Sequence, residues 1–106
     1  MASRMYHHIL DPKAEEEYEQ SIEFYSEKSE KATINFIDTI DQSIALICKN
    51  PFTNKKKYKN YYEAILDVYP FTIVYAIEKE IELIVIISIY HHSRNPKYKY
   101  KAKKKK

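Results

Sequence analysis

The spacing of apolar residues changes once along this chain, near residue 60, and that change sets the fold class. Before it, apolar residues recur every three or four positions; after it, they alternate. A period near 3.6 belongs to a helix with one buried face, and a period of two to a half-buried strand. Ala14, Tyr18, Ile22 and Tyr25 make the first helical stripe. Thr33, Phe36, Ile40, Ile44 and Ile47 make the second, and Ile37 widens it. Asp11-Pro12 starts the first helix, because Asp caps free N–H groups and Pro at the first helical position lacks only a donor that has no partner there. Glu15, Glu16, Glu17 and Glu19 fall in the early turns, where they favour the helix dipole. Ser29 gives a second start. Asn50-Pro51 gives a stop, since a residue before proline avoids the helical region. Helices are predicted over 12–28 and 30–49, folded as an antiparallel hairpin about a short link near Glu27 to Ser29.

Residues 51–60 read as a polar basic loop. Strands are predicted over 61–68, 71–78 and 81–90, broken at Tyr69-Pro70 and at a tight turn of Glu78-Lys79-Glu80. Ile81 to Tyr90 is the most apolar and is expected to be central. Met5 to Leu10 is a candidate edge strand. The fold class is α+β: a short N-terminal strand, a two-helix hairpin, then a three-stranded antiparallel meander with the helices packed on one face.

With 106 residues the chain suits one domain, expected over 1–100, with a lysine-rich tail at 101–106. There is no glycine, which excludes Gly-rich phosphate loops and dinucleotide fingerprints. Cys48 is the single cysteine, so no internal disulfide forms. No apolar run is longer than Leu83 to Ile87, far short of the roughly 20 residues a membrane helix needs. These features, with no signal-type N-terminus, place the expectation in the cytosol, away from membranes. His7-His8 and His91-His92 are adjacent strand residues that point to opposite faces, so each pair offers one ligand to a face. With no zinc-type spacing, neither a metal nor another cofactor is expected.

The formal net charge of +3 hides a split. Residues 11–47 hold ten acids and three lysines, whereas residues 48–106 hold fourteen bases and five acids. From His91 onward there are eight bases and no acid. Such a run is either a solvated tail or a contact for nucleic acid or an acidic partner. The eight tyrosines from Tyr58 to Tyr100 admit two uses as well, stacking on bases or serving as amphipathic sheet residues.

Two segments carry a family resemblance: Pro-Phe-Thr-Ile-Val-Tyr-Ala-Ile at 70–77, and His91-His92-Ser93-Arg94-Asn95-Pro96. With Asn50-Pro51 and Lys57-Tyr58-Lys59 at matching places, the chain resembles the RelE/ParE superfamily of bacterial toxins over roughly residues 5–100. The resemblance implies a small toxin held inactive by a cognate antitoxin in a hetero-oligomeric complex. It leaves two activities open. RelE-like members cut messenger RNA on the ribosome, and ParE-like members act on DNA gyrase. A basic nucleic-acid-binding module without toxicity is a third reading.

Metal-free RNA cleavage needs a base, a cationic clamp on the phosphate and an acid. The candidates are Lys57, Lys59, Glu63, His91, His92, Arg94, Lys97 and Tyr98. His91 matches the histidine that closes the last strand in several family nucleases, and suits acid or base work. Arg94 suits a phosphate clamp. Catalysis, if there is any, would thus rest on His91 and Arg94, and target binding on Lys57, Lys59, Arg94, Lys97 and Tyr98. One departure weighs against cleavage. The resemblance puts Arg or Lys before Ile-Val-Tyr, and this chain has Thr72. A neutral hydroxyl cannot stabilise a phosphorane by charge, so gyrase action is favoured.

Overall fold

The computed structural model describes residues 5–93. Asp11 and Pro12 open helix α1 (Pro12–Ser26) as expected. The Asp11 carboxylate accepts the Lys13 N–H at 3.0 Å, and Pro occupies the first helical position. The helix ends two residues before the expected 28, at Ser26, whose hydroxyl donates to the Glu23 carbonyl. Ser29 caps helix α2 (Glu30–Lys49) by accepting the Ala32 N–H at 2.9 Å. The Asn50 N–H donates to Leu46 O and Pro51 follows, which ends α2 at its expected boundary. Tyr18 and Tyr25 of α1 pack on Phe36 of α2, with ring centroids 6.0 and 4.8 Å apart.

The sheet has five strands where a short strand and a three-stranded meander were expected. Strand β1 (His7–Leu10) lies at one edge and pairs in parallel with β5 (Leu83–His91), His7 opposite Leu83. Strand β4 (Phe71–Glu78) separates β5 from β3 (Tyr61–Ile65), both antiparallel to it. Strand β2 (Lys56–Tyr58) forms the other edge, inside the segment expected to be loop. Three residues suffice because Lys56 and Tyr58 pair with Tyr62 and Tyr61 across a register shift.

Three boundaries move for identifiable reasons. The strand expected to reach 68 stops at Ile65, because the Leu66 N–H turns back to Phe71 O and the Phe71 N–H to Tyr69 O. The expected tight turn after Glu78 is a 3-10 turn over Lys79–Ile81, closed by the Glu82 N–H on Lys79 O. Glu82 takes the left-handed conformation there, at φ 52°, and Lys59 does the same at φ 51° between β2 and β3. A chain without glycine must put side chains at such positions, against the usual steric preference. The turn delays β5 to Leu83, and it runs on to His91. In strand order β4 is the middle strand, and β5 is interior beside it.

The core lies between the helices and one face of the sheet. Phe36, Ile40, Ile44 and Ile47 of α2 and Ala14 of α1 bury against Phe71, Ile73 and Tyr75 of β4 and Ile84, Ile86 and Ile89 of β5. Phe36 also meets Tyr69 and Phe71 at 5.5 and 5.2 Å. Each such ring pair is worth roughly 0.5–1.5 kcal/mol beyond the area it buries. No helix among the described residues is long and apolar enough to cross a membrane.

Candidate functional site

A bulge in β5 decides which way its terminal histidines face. Val74 pairs with Ser88, but Tyr75 pairs with Ile86, so Ile87 is an extra residue. The alternation changes phase across it. Ile84 and Ile86 face the core before the bulge, and Ile89 does after it. His91, two residues beyond Ile89 and opposite Phe71, is therefore on the helix side. An unbroken alternation would have turned it to the other face. Glu17 braces this stretch beyond the reach of β1: one carboxylate oxygen, Oε1, accepts the Ser88 hydroxyl at 2.8 Å and the Ile89 N–H at 3.0 Å.

The His91 ring stands edge-on to Phe71, with centroids 4.9 Å apart at 88°. Its Nδ1 accepts the Ser93 N–H at 3.0 Å, and the Ser93 hydroxyl lies 2.7 Å from the same nitrogen. A backbone N–H can only donate, so the proton of the neutral ring sits on Nε2. Phe24, Tyr25, Gln20 and Ser21 of α1 complete a groove of about 330 Å³ with His91, Phe71 and Ser93. Phe24, Tyr25 and Phe71 give it aromatic surface, and Gln20, Ser21, His91 and Ser93 give it polar groups.

His92 faces the other way. Its Nε2 lies 2.8 Å from the Thr72 hydroxyl, and its backbone N–H donates to Pro70 O at 2.9 Å. Thr72 is only 4% exposed. The strand position where the resemblance puts a cation thus holds a buried hydroxyl bonded to an imidazole. Glu63 is opposite Val74, which puts it on the same sheet face as Thr72 and away from His91.

Among the described residues, the basic candidates Lys57 and Lys59 are not gathered around His91. Lys57 lies in β2 rather than in a loop, and Lys59 in the turn that follows. Three strand spacings, about 14 Å, separate β2 from β5. Lys56 and Lys59 place their ammonium groups over Tyr62 and Tyr58, at 5.8 and 5.4 Å. The basic edge is therefore a separate aromatic-backed surface. Arg94, Lys97, Tyr98 and the tail at 101–106 lie outside the described residues.

A second groove, of about 270 Å³, runs between the end of α2 and β3, lined by Leu46, Ile47, Ala64, Ile65 and Leu66 with polar residues that include Asn50 and Asn54. Leu46 and Ile65 are each 65% exposed, and nearby Val68 is 80% exposed. Leu46 and Ile65 lie at this groove, and exposed apolar side chains grouped in this way suit protein contact.

A family model described as "ParE toxin of type II toxin-antitoxin system, parDE" matches residues 9–96. The chain belongs to the ParE toxin family. Comparison with curated proteins returns no match. As a ParE-family toxin the chain has a cognate antitoxin for its partner. The match begins inside β1 and runs past β5, so it takes in both grooves, the bulge and the Thr72–His92 pair. Sequence reasoning singled out Thr72 for its missing charge but not for its partner. It also missed Glu17, which sits three residues after Ala14 on the buried stripe of α1 and so carried a legible signal.

Proposed function

We propose that this ParE-family toxin arrests growth by acting on DNA gyrase, without cutting RNA, and is neutralised when its antitoxin covers the apolar groove between α2 and β3. The observation that carries the reading is Thr72, buried and bonded to His92. Removing one donor or cation from a site that stabilises developing charge costs about 10²–10³ in rate. Here the strand supplies no cation, Lys57 and Lys59 stand at the far edge, and His91 Nδ1 is engaged by Ser93. Two further exposed features among the described residues are suited to protein contact: the groove at His91, with its Phe24, Tyr25 and Phe71 rings, and a lysine edge.

The experiment is to induce the protein, map RNA ends on translating ribosomes and assay gyrase supercoiling in parallel. The expected result is inhibited supercoiling with intact messages. Codon-phased cuts that vanish in His91→Ala and Arg94→Ala would overturn it in favour of RelE-like cleavage. Abundant soluble protein with unimpaired growth would instead favour a non-toxic basic binding module.

A further inference from the structure

Between Asp41 and Glu63 the chain holds five lysines, four aromatic rings and no acid. The fold gathers much of this run at the β2 edge. Tyr62 stacks on buried Tyr75, with ring centroids 5.4 Å apart at 17°, and Phe52 stands edge-on to Tyr62 at 6.2 Å. Tyr75 is fixed in turn, because its hydroxyl donates to Pro51 O. Lys56 lies over Tyr62, and Lys59 over Tyr58. Ammonium groups already held over rings lose less freedom when an anion meets them. The register brings in a third lysine. β3 begins opposite Ala76 of β4, so the β2–β3 turn and the 3-10 turn after β4 share one end of the sheet. Lys79 stands in that second turn. A pocket of about 510 Å³ at this end is lined by Lys56, Lys59 and Lys79, with Phe52, Tyr62 and one acid, Glu78. All three lysines are exposed, and Phe52 is 54% exposed.

Three cations and aromatic rings around one cavity suit a ligand with both negative charge and a flat apolar face. A nucleotide unit has both, a phosphate for lysine and a base for an aromatic ring. The volume falls within the roughly 300–1,000 Å³ of pockets that take small organic groups. The lysines come from one strand and two separate turns, and Lys49 and Lys55 continue the basic run outside the pocket. Charge spread in this way suits successive phosphates along a strand better than the clustered phosphates of a free nucleotide. A duplex keeps its bases stacked inside, out of reach of a pocket. The fit is therefore to a single strand.

We propose that this end of the sheet binds single-stranded nucleic acid, with a base against Phe52 in the pocket and phosphates on Lys56, Lys59 and Lys79. Charge and stacking read no base edge, so binding tolerates sequence. The site occupies the pocket end of the lysine edge and leaves Lys57 to protein contact. It does not rest on gyrase action, since it gives the chain a hold on an exposed strand whatever its protein target.

The test is fluorescence anisotropy of a labelled oligothymidylate titrated with the full chain over a range of salt, with no gyrase present. The single strand should bind more tightly than a duplex of equal length, and ATP should compete only in large excess. Lys56→Gln, Lys59→Gln and Lys79→Gln together should make the salt slope shallower by about 2, at about 0.7 per phosphate contact. Phe52→Ala should weaken single-strand binding about fivefold or more, the scale of one lost base stack. These four side chains are exposed, so their variants stay folded. Lys28→Gln with Lys31→Gln, exposed on the helix side, controls for charge and should change little. A duplex bound more tightly than the strand, or affinity unmoved by Phe52→Ala, would reduce the site to a charged surface and overturn it. Competition by ATP at equal concentration, or an equal loss in the Lys28 and Lys31 control, would overturn it too. So would binding that is lost on deleting 101–106 yet kept in the triple lysine variant, because that result assigns the strand to the tail.

Discussion

Glu17 holds α1 to β5 through one carboxylate oxygen, at a stretch of strand that β1 does not reach. Glu17→Ala leaves the buried Ile89 N–H and Ser88 hydroxyl without that acceptor, a loss of about 2–3 kcal/mol. Glu17→Gln keeps a carbonyl in place and should lose less. Urea unfolding midpoints of the two variants check the order. A second prediction concerns alkali. The Tyr75 hydroxyl donates to Pro51 O at 2.8 Å and accepts from Asn54 at 3.2 Å. Burial pushes it above the ordinary phenol value of 10.0; the Asn54 hydrogen bond opposes this and Tyr62 adds to it. Burial raises Tyr18 and Tyr25 as well, helped by Asp41 and Tyr69 respectively. Above pH 10 the unfolded chain loses phenol protons that the folded chain retains. The stability tied to these groups is thus whole below that pH and is lost as pH climbs through the folded values. Unfolding free energy measured from pH 9 to 11 should fall, and fall less steeply in Tyr75→Phe. Tyr18, Tyr25 and Phe36 were legible as core from spacing alone. Glu17 was readable too, three residues after Ala14 on the same stripe, but a helix-dipole role for the whole acidic run of Glu15, Glu16, Glu17 and Glu19 masks it.

The two helices owe their limits to local chemistry, which is why their starts were readable in the sequence. Ser29 is exposed and caps α2 through a single hydrogen bond. Ser29→Ala should therefore cost about 1 kcal/mol, read as a lower thermal midpoint with native circular dichroism. The strands were less legible, for reasons that differ from one to the next. β4 follows simple alternation and has its expected ends. β2 carries three exposed residues and no apolar pattern, so its pairing is visible only through β3. The parallel partner of β1 is a matter of chain topology, on which the alternation of Met5 to Leu10 is silent. The bulge at Ile87 hides inside the apolar run Leu83 to Ile87, where a phase change leaves no mark. The candidate site inherits that blindness. His91 and His92 were legible as chemistry, but the bulge decides that His91 meets Phe71 and His92 meets Thr72.

At the scale of the molecule, the acids of residues 11–47 fall on the Asp11 cap, α1, α2 and their link, and β2 gives one sheet edge a run of lysines. The five lysines within 101–106 add to the basic side in sequence. If they serve only as solvated charge, deleting 101–106 leaves growth arrest on induction, and rescue by the antitoxin gene, unchanged. That is the expected outcome, checked by plating with and without the antitoxin. Loss of arrest on truncation would show that the tail grips the target. The parallel pairing of His7 with Leu83 has a consequence for synthesis. A ribosome releases β1 and both helices first, yet the strand that must lie between β1 and β4 is the last of the described strands to emerge. Closing contacts across so much chain is slow compared with forming local ones. A nascent chain therefore carries its helices without a finished sheet to cover. The fold becomes possible only once β5 has emerged, and a stop codon anywhere before Leu83 yields a fragment in which β1 and β4 have lost their common neighbour.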